Sequence, residues 1–143
     1  MSAKKKIRTI AFDLGGVVFS QDNNIFSENY LEDTALTPGM YELLLQLSKV
    51  DCIKLIVISK AFPVNAKKSK AILKLYQLDD CFNSIIFCED NKDKGRIAKA
   101  MSVDVMIDDK QEVLTHFDSD IQTILFQPSD VKNLYSRLTN FSS

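Results

Sequence analysis

Apolar residues along this 143-residue chain fall into two kinds of run. Short, near-continuous runs at Ile7 to Phe12, Cys52 to Ile58, Ser84 to Cys88, Val103 to Ile107 and Ile121 to Phe126 read as strands buried on both faces. Longer stretches with helical spacing lie between them. Thr37-Pro38 opens one that runs to about Val50, with Leu43, Leu44, Leu45 and Leu47 on its inner side. Ala66 to Leu78 sets lysines against Ile72, Leu73, Leu75 and Tyr76. Lys94 to Met101, Gln111 to Phe117 and Ser129 to Leu138 complete the set, the last with Ser129 as its expected cap. Five strands alternating with helices predict an α/β fold, with crossover units on a five-stranded parallel sheet and helices covering both faces. No internal repeat interrupts the pattern, which predicts a single domain over 1–143 with its core at about 7–138.

Composition narrows the function classes. An apolar content of 45% with 26% charged residues suits a globular protein with a real core. A formal net charge of -1 lacks the basic excess of a general nucleic-acid binder. The one basic run, Lys4, Lys5 and Lys6 with Arg8, reads as a solvated lead-in to the first strand. Cys52, Cys81 and Cys88 show no paired spacing, and His116 is the sole histidine, so a zinc site is not expected. The first apolar run is too short for a secretory core or a membrane span. Reduced thiols in a cytoplasmic protein are the simplest reading.

Candidate chemistry collects where strands end, the edge at which open α/β sheets bind ligands. Strand one ends in Asp13, strand two in Ser59 followed by Lys60, and strand four in Asp108-Asp109. Lys94 opens the helix after strand three. Any one of these could be an ordinary wet strand end, but together they form a set. An aspartate can attack phosphorus and carry the group covalently. Further carboxylates can hold Mg²⁺, and a lysine neutralises charge. A serine hydroxyl and backbone N–H groups can bind phosphate oxygens.

In their order and spacing these residues resemble the four motifs of the haloacid dehalogenase (HAD) superfamily. The matching stretches are Phe12-Asp13-Leu14-Gly15-Gly16-Val17, Val57-Ile58-Ser59, Lys94, and Met106-Ile107-Asp108-Asp109. The likeness spans about 7–138. The run from Lys94-Gly95-Arg96-Ile97 to Asp108-Asp109 is similar to small deoxyribonucleotidase-like members. The resemblance implies a Rossmann-like sheet of order 5-4-1-2-3. It implies Asp13 as phosphoryl-accepting nucleophile and Lys94 as its catalytic partner, with Lys92 the alternative. Ser59, Lys60 and Gly16 would bind substrate phosphate. Mg²⁺ would be held by Asp13, Asp109, the Gly15 carbonyl and Asp108, the last directly or in support. Glu89, Asp90 and Asp93 read as a solvated loop.

One position departs from the pattern. Gly15 stands where phosphatases of this superfamily carry a second aspartate, the general acid and base. Glycine keeps the backbone carbonyl but loses the proton carrier, a role worth roughly 10²–10⁴ in rate. Asp22, Glu28, Lys60 or water are the candidates to replace it. The segments Leu14 to Leu36 and Glu89 to Asp93 are too short for a cap domain, so an open site is expected. Phe19, Phe26, Tyr30, Phe62 and Pro63 are candidates for its mouth, or for ordinary packing.

The expected function is therefore a Mg²⁺-dependent phosphohydrolase or phosphotransferase. Its substrate would be a phosphorylated small molecule or a phosphoprotein, and an oligomer is compatible with the sequence. The alternative is a catalytically weak domain that binds a phosphorylated ligand or protein partner, because of Gly15. A phospho-acceptor receiver domain fits poorly, since receivers place their paired acids after strand one. A true dehalogenase would need an arginine-lined, capped halide pocket, for which no segment is available.

Overall fold

The computed structural model describes residues 6–140; Lys4 and Lys5 of the basic run lie outside them. Five strands pair in parallel in the order β3-β2-β1-β4-β5, the predicted order read from the opposite edge. They are β1 (Arg8–Phe12), β2 (Ile53–Lys60), β3 (Ser84–Cys88), β4 (Val105–Asp108) and β5 (Gln122–Leu125). Helices α1 (Tyr30–Asp33), α2 (Met40–Ser48), α3 (Pro63–Leu75), α4 (Asp93–Ala100), α5 (Gln111–Leu114) and α6 (Val131–Thr139) connect and flank them.

Side chains alternate across a strand, so successive residues feed opposite faces of the sheet. Ile10, Phe12, Leu55, Val57, Val105 and Ile107 join α2 and α6 in the larger apolar cluster. Ala11, Ile56, Ile58 and Met106 join Ala98 of α4 and Leu114 of α5 on the other face. With helices on both faces, the carboxyl half of the central strand is inaccessible to water: Ile10, Ala11 and Phe12 are fully buried.

Register decides where the chemistry falls. Phe12 sits opposite Val57 of β2 and Ile107 of β4. The next rung is therefore Asp13, Ile58 and Asp108, and the Asp13 N–H donates to Ile107 O at 3.0 Å. Ser59 lies one residue further along β2.

Several boundaries differ from expectation. Helix α3 starts at Pro63 rather than Ala66, because proline suits a first helical turn and Phe62 precedes it in extended backbone. Helix α6 starts at Val131, and Ser129 is not its cap. Residues Pro128–Asp130 form a 3₁₀ turn that Asp130 closes by accepting the Gln127 N–H at 2.9 Å. Strand β4 begins two residues later than expected, and α5 stops at Leu114 rather than Phe117. Helix α1 was not foreseen; it buries none of its residues, so it leaves no apolar period to read.

Between β1 and α2 the chain makes a flap. Phe19 N–H donates to Leu14 O, Gly16 N–H to Phe19 O, and Ser20 N–H to Ala35 O, which closes the base. Thr37 seals the return by donating its hydroxyl to Val17 O at 2.6 Å. Lys68 of α3 ties down the outer part, donating to Ile25 O at 3.3 Å and lying 5.1 Å from the centre of the Tyr30 ring. Among the described residues no cap domain stands over the strand ends, and no helix is long and apolar enough to cross a membrane.

Candidate active site

Asp13, Lys94, Asp108 and Asp109 meet at the carboxyl edge of β1 and β4. Lys94 is 2% exposed, an unusual state for a lysine, and its Nζ lies 2.9 Å from Asp108 Oδ2 and 3.3 Å from Asp13 Oδ1. It reaches that depth because α4 packs tightly at its neighbour: a Cβ on Gly95 would lie 2.3 Å from the His116 carbonyl oxygen. Lys92 is exposed, and among the described residues the ion pairs of the cluster are made by Lys94 and not by Lys92. Asp93 pairs with Arg96 at the surface, and Glu89 and Asp90 are exposed.

Each carboxylate is held differently. Asp13 Oδ1 accepts the Leu14 N–H at 2.8 Å as well as facing Lys94, which leaves Oδ2 without a protein hydrogen bond among the described residues. Asp108 is fully buried and both its oxygens are engaged, Oδ2 by Lys94 and Oδ1 by the Lys110 N–H at 3.0 Å. Asp109 Oδ1 is buried and has no hydrogen-bond partner among the described residues. One oxygen from each of the three acids lies within 4.8 Å of the others.

Three carboxylates and one ammonium leave this pocket with excess negative charge. Burial pushes Asp13 up to about 6; Lys94 pulls against that, and Asp108 and Asp109 add to it. Burial and the neighbouring Asp108 raise Asp109 as well. Lys94 also loses by burial, but Asp13 and Asp108 outweigh that and hold it above its ordinary value. Hard oxygen donors, surplus charge and an orphaned buried oxygen suit a small divalent cation bound between Asp13 and Asp109. Gly16 shapes this place. Its backbone is left-handed, with φ at 82°, and a Cβ there would sit 2.1 Å from Asp109 Oδ2.

No protein-family model and no curated protein matches the chain. Solved structures do match. A chain of the Pnkp1/Rnl/Hen1 complex superposes with a TM-score of 0.66 at 14% identity, over 87% of this chain and 47% of that one. The HAD domain of the effector protein Lem4 from Legionella pneumophila matches with a TM-score of 0.59 at 10% identity, over 95% of this chain and 96% of that one. A haloacid dehalogenase-like family hydrolase from Xanthomonas campestris matches at 0.54 and 10% identity, over 94% and 98%.

The fold is HAD-like.

Within this HAD-like frame the remaining candidates separate. Ser59 is buried, its hydroxyl has no protein partner among the described residues, and it lines a cavity of about 400 Å³ together with Lys60. Gly16 cannot offer its amide to a phosphate while that N–H is donated to Phe19 O at 2.9 Å; its place is under Asp109. Gly15 opens on free space, where the nearest atom to an added Cβ would be Asn23 Nδ2 at 4.0 Å. Asp22 is exposed and bonded to Ser20, and neither Asp22 nor Glu28 lines the cavity. Phe19, Phe26 and Phe62 line it; Tyr30 and Pro63 do not. The sequence reading missed Asn23 and Asn65, which also line the cavity. Asparagines in a loop and a first helical turn carry no motif by which to find them.

Proposed function

We propose that this protein is a Mg²⁺-dependent phosphohydrolase or phosphotransferase that acts on phosphomonoesters through an aspartyl-phosphate at Asp13. The observation that carries the reading is the pairing of a Lys94-held Asp13, one oxygen free, with Asp109, whose buried Oδ1 has no hydrogen-bond partner among the described residues.

In this reading Asp13 Oδ2 attacks phosphorus. Lys94 keeps Asp13 ionised against the desolvation that favours its neutral form, and engages Oδ1, which leaves Oδ2 for the attack. Asp108 orients Lys94 from behind. The Ser59 hydroxyl donates to a phosphate oxygen, and Lys60 supplies positive charge at the cavity rim. Asp13 and Asp109, with the Gly15 carbonyl, would hold Mg²⁺, which when bound supplies charge neutralisation and phosphate orientation. A water then releases phosphate and restores the carboxylate.

A panel of phosphate esters assayed with Mg²⁺ beside an Asp13→Asn control tests this. Turnover that disappears with Asp13→Asn or with chelation supports it; equal turnover by the variant refutes it. Gly15 favours a second reading, a binding domain with weak turnover. Mg²⁺-dependent thermal stabilisation by phosphate or a metal-fluoride mimic, with no measurable hydrolysis, would select that one. Gly15 has room for a side chain, so Gly15→Asp should raise turnover of alkyl phosphates roughly 10²-fold or more if nothing else carries the proton.

A further inference from the structure

The cavity beside the acid cluster begins at Leu14, Gly15 and Ser59, next to Asp13 along the chain and one residue beyond its level on β2. At about 400 Å³ it has the size of a small-ligand site. Two features of its wall are unusual in combination. The first is aromatic: Phe26 is 79% exposed and Phe62 is 54% exposed, on the flap and at the head of α3 respectively. Phe19 forms the buried part of the same wall. The second is the nature of its polar groups. They are the amides of Asn23 and Asn65, the hydroxyls of Ser59 and Ser69, and the Lys60 ammonium. No carboxyl or imidazole lines it among the described residues; its one charged donor is the Lys60 ammonium, a much weaker acid than the carboxyl that Gly15 lacks.

From these two features we propose that the cavity is a leaving-group pocket for a phosphorylated phenol: the substrate class is an aryl phosphate monoester. The proposal rests on Asp13 being the phosphoryl acceptor. A phenolic oxygen, with a pKa near 10, leaves as a stable anion where an alkoxide would need protonation. As the bond from Asp13 Oδ2 to phosphorus forms, the bond from phosphorus to the aryl oxygen breaks. The electron pair departs on that oxygen as phenoxide, which the Lys60 ammonium neutralises at the rim and solvent later protonates. Water then attacks the phosphorus of the aspartyl-phosphate, giving phosphate and the free carboxylate and passing a proton to solvent. The ring itself is held by Phe26 and Phe62, whose exposed faces offer offset or edge contacts. The flap that carries Phe26 is tied to α3 by the Lys68 contacts to Ile25 and Tyr30, and both phenylalanines line the one cavity.

The test compares kcat/KM for phenyl phosphate, glycerol phosphate and acetyl phosphate with Mg²⁺ in wild type, Phe26→Ala and Phe62→Ala. Both phenylalanines are exposed, so their replacement should leave the fold intact. The proposal expects phenyl phosphate to exceed glycerol phosphate by about 10²-fold or more. It expects each Ala variant to lower the ratio of phenyl to acetyl phosphate kcat/KM about three- to tenfold, mainly through KM. Gly15→Asp should narrow the gap between aryl and alkyl esters. Phenyl and glycerol phosphate turned over alike, or an unchanged phenyl-to-acetyl ratio in both Ala variants, overturns the proposal while acetyl phosphate turnover keeps the Asp13 reading intact. Failure of all three substrates, with no label on Asp13, overturns both. A phosphotyrosine peptide run beside phenyl phosphate identifies the source of the phenol, and a preference for either member of that pair supports the aryl assignment.

Discussion

Replacing Gly16 by alanine isolates the acid cluster better than removing one of its carboxylates, because it changes no charge. Two costs follow from the structure. The first is backbone strain: φ at 82° is left-handed, where an alanine is less stable than a glycine by about 1–2 kcal/mol. For a chain of this size that lowers Tm by roughly 3–8 °C. The second is local. The new Cβ would lie 2.1 Å from Asp109 Oδ2, whereas ordinary contact begins at 3.4 Å, so the carboxylate must retreat by about 1.3 Å. Mg²⁺ demands near-ideal octahedral geometry, and a shift of that size takes Asp109 out of reach. We expect Mg²⁺ affinity, read by calorimetry or by the metal dependence of Tm, to fall at least about 10–100-fold, with activity falling alongside. Gly39→Ala is the control, because Gly39 has nearly the same φ, 83°, but faces the Val131 side chain at the head of α2. It should lose stability and keep its metal response. A Gly16→Ala protein that binds Mg²⁺ and turns over as wild type does would refute the placement of the cation between Asp13 and Asp109.

Two further outcomes follow from the buried charges. Lys94→Met leaves Asp13 and Asp108 buried without their cation, which should cost about 3–5 kcal/mol near neutral pH; denaturant melts should show that loss shrinking on acidification, and a loss independent of pH would contradict the ion-pair account. The folded-state pKa of Asp13, about 6, lies above its ordinary 3.8. The folded state therefore holds the extra proton, and its contribution is full below about pH 4 and lost as pH rises through about 6. Without metal, stability of wild type relative to Asp13→Asn should fall across that window; with Mg²⁺, which replaces the proton, the fall should flatten or reverse. A relative stability that rises with pH in the metal-free protein would show the sign to be wrong.

The parts of this molecule that were readable from sequence are those that a buried sheet forces into view. Strands covered on both faces must be apolar throughout, so β1, β2 and β4 stood out, and the polar residues that end them stood out against them; β5 is an edge strand with only Ile124 buried, and the apolar Ile121 and Phe126 that flank it gave it away. Helix α1 was invisible because it buries nothing, and the head of α3 because Pro63, Val64 and Asn65 carry no repeating apolar face. At the site, the types and order of Asp13, Ser59, Lys94, Asp108 and Asp109 were legible, and the resemblance left Asp108 open as a direct ligand or a support. That Asp108 has both oxygens engaged while Asp109 keeps one orphaned depends on where Lys94 and the Lys110 amide come to lie, which spacing does not encode. Gly16 makes the same point. Its sequence position suggested a phosphate contact, while its tertiary position is the floor beneath Asp109, a relation between residues 93 positions apart.

The most direct test of the account is to trap the covalent intermediate. The protein is mixed with acetyl phosphate and Mg²⁺, quenched in acid, digested and read by mass spectrometry, with Asp13→Asn carried in parallel. The account predicts one phosphoryl group on the peptide containing Asp13, labile to hydroxylamine and absent after chelation or in the variant. Phosphoryl transfer that persists in Asp13→Asn, or a label on another residue, would contradict it.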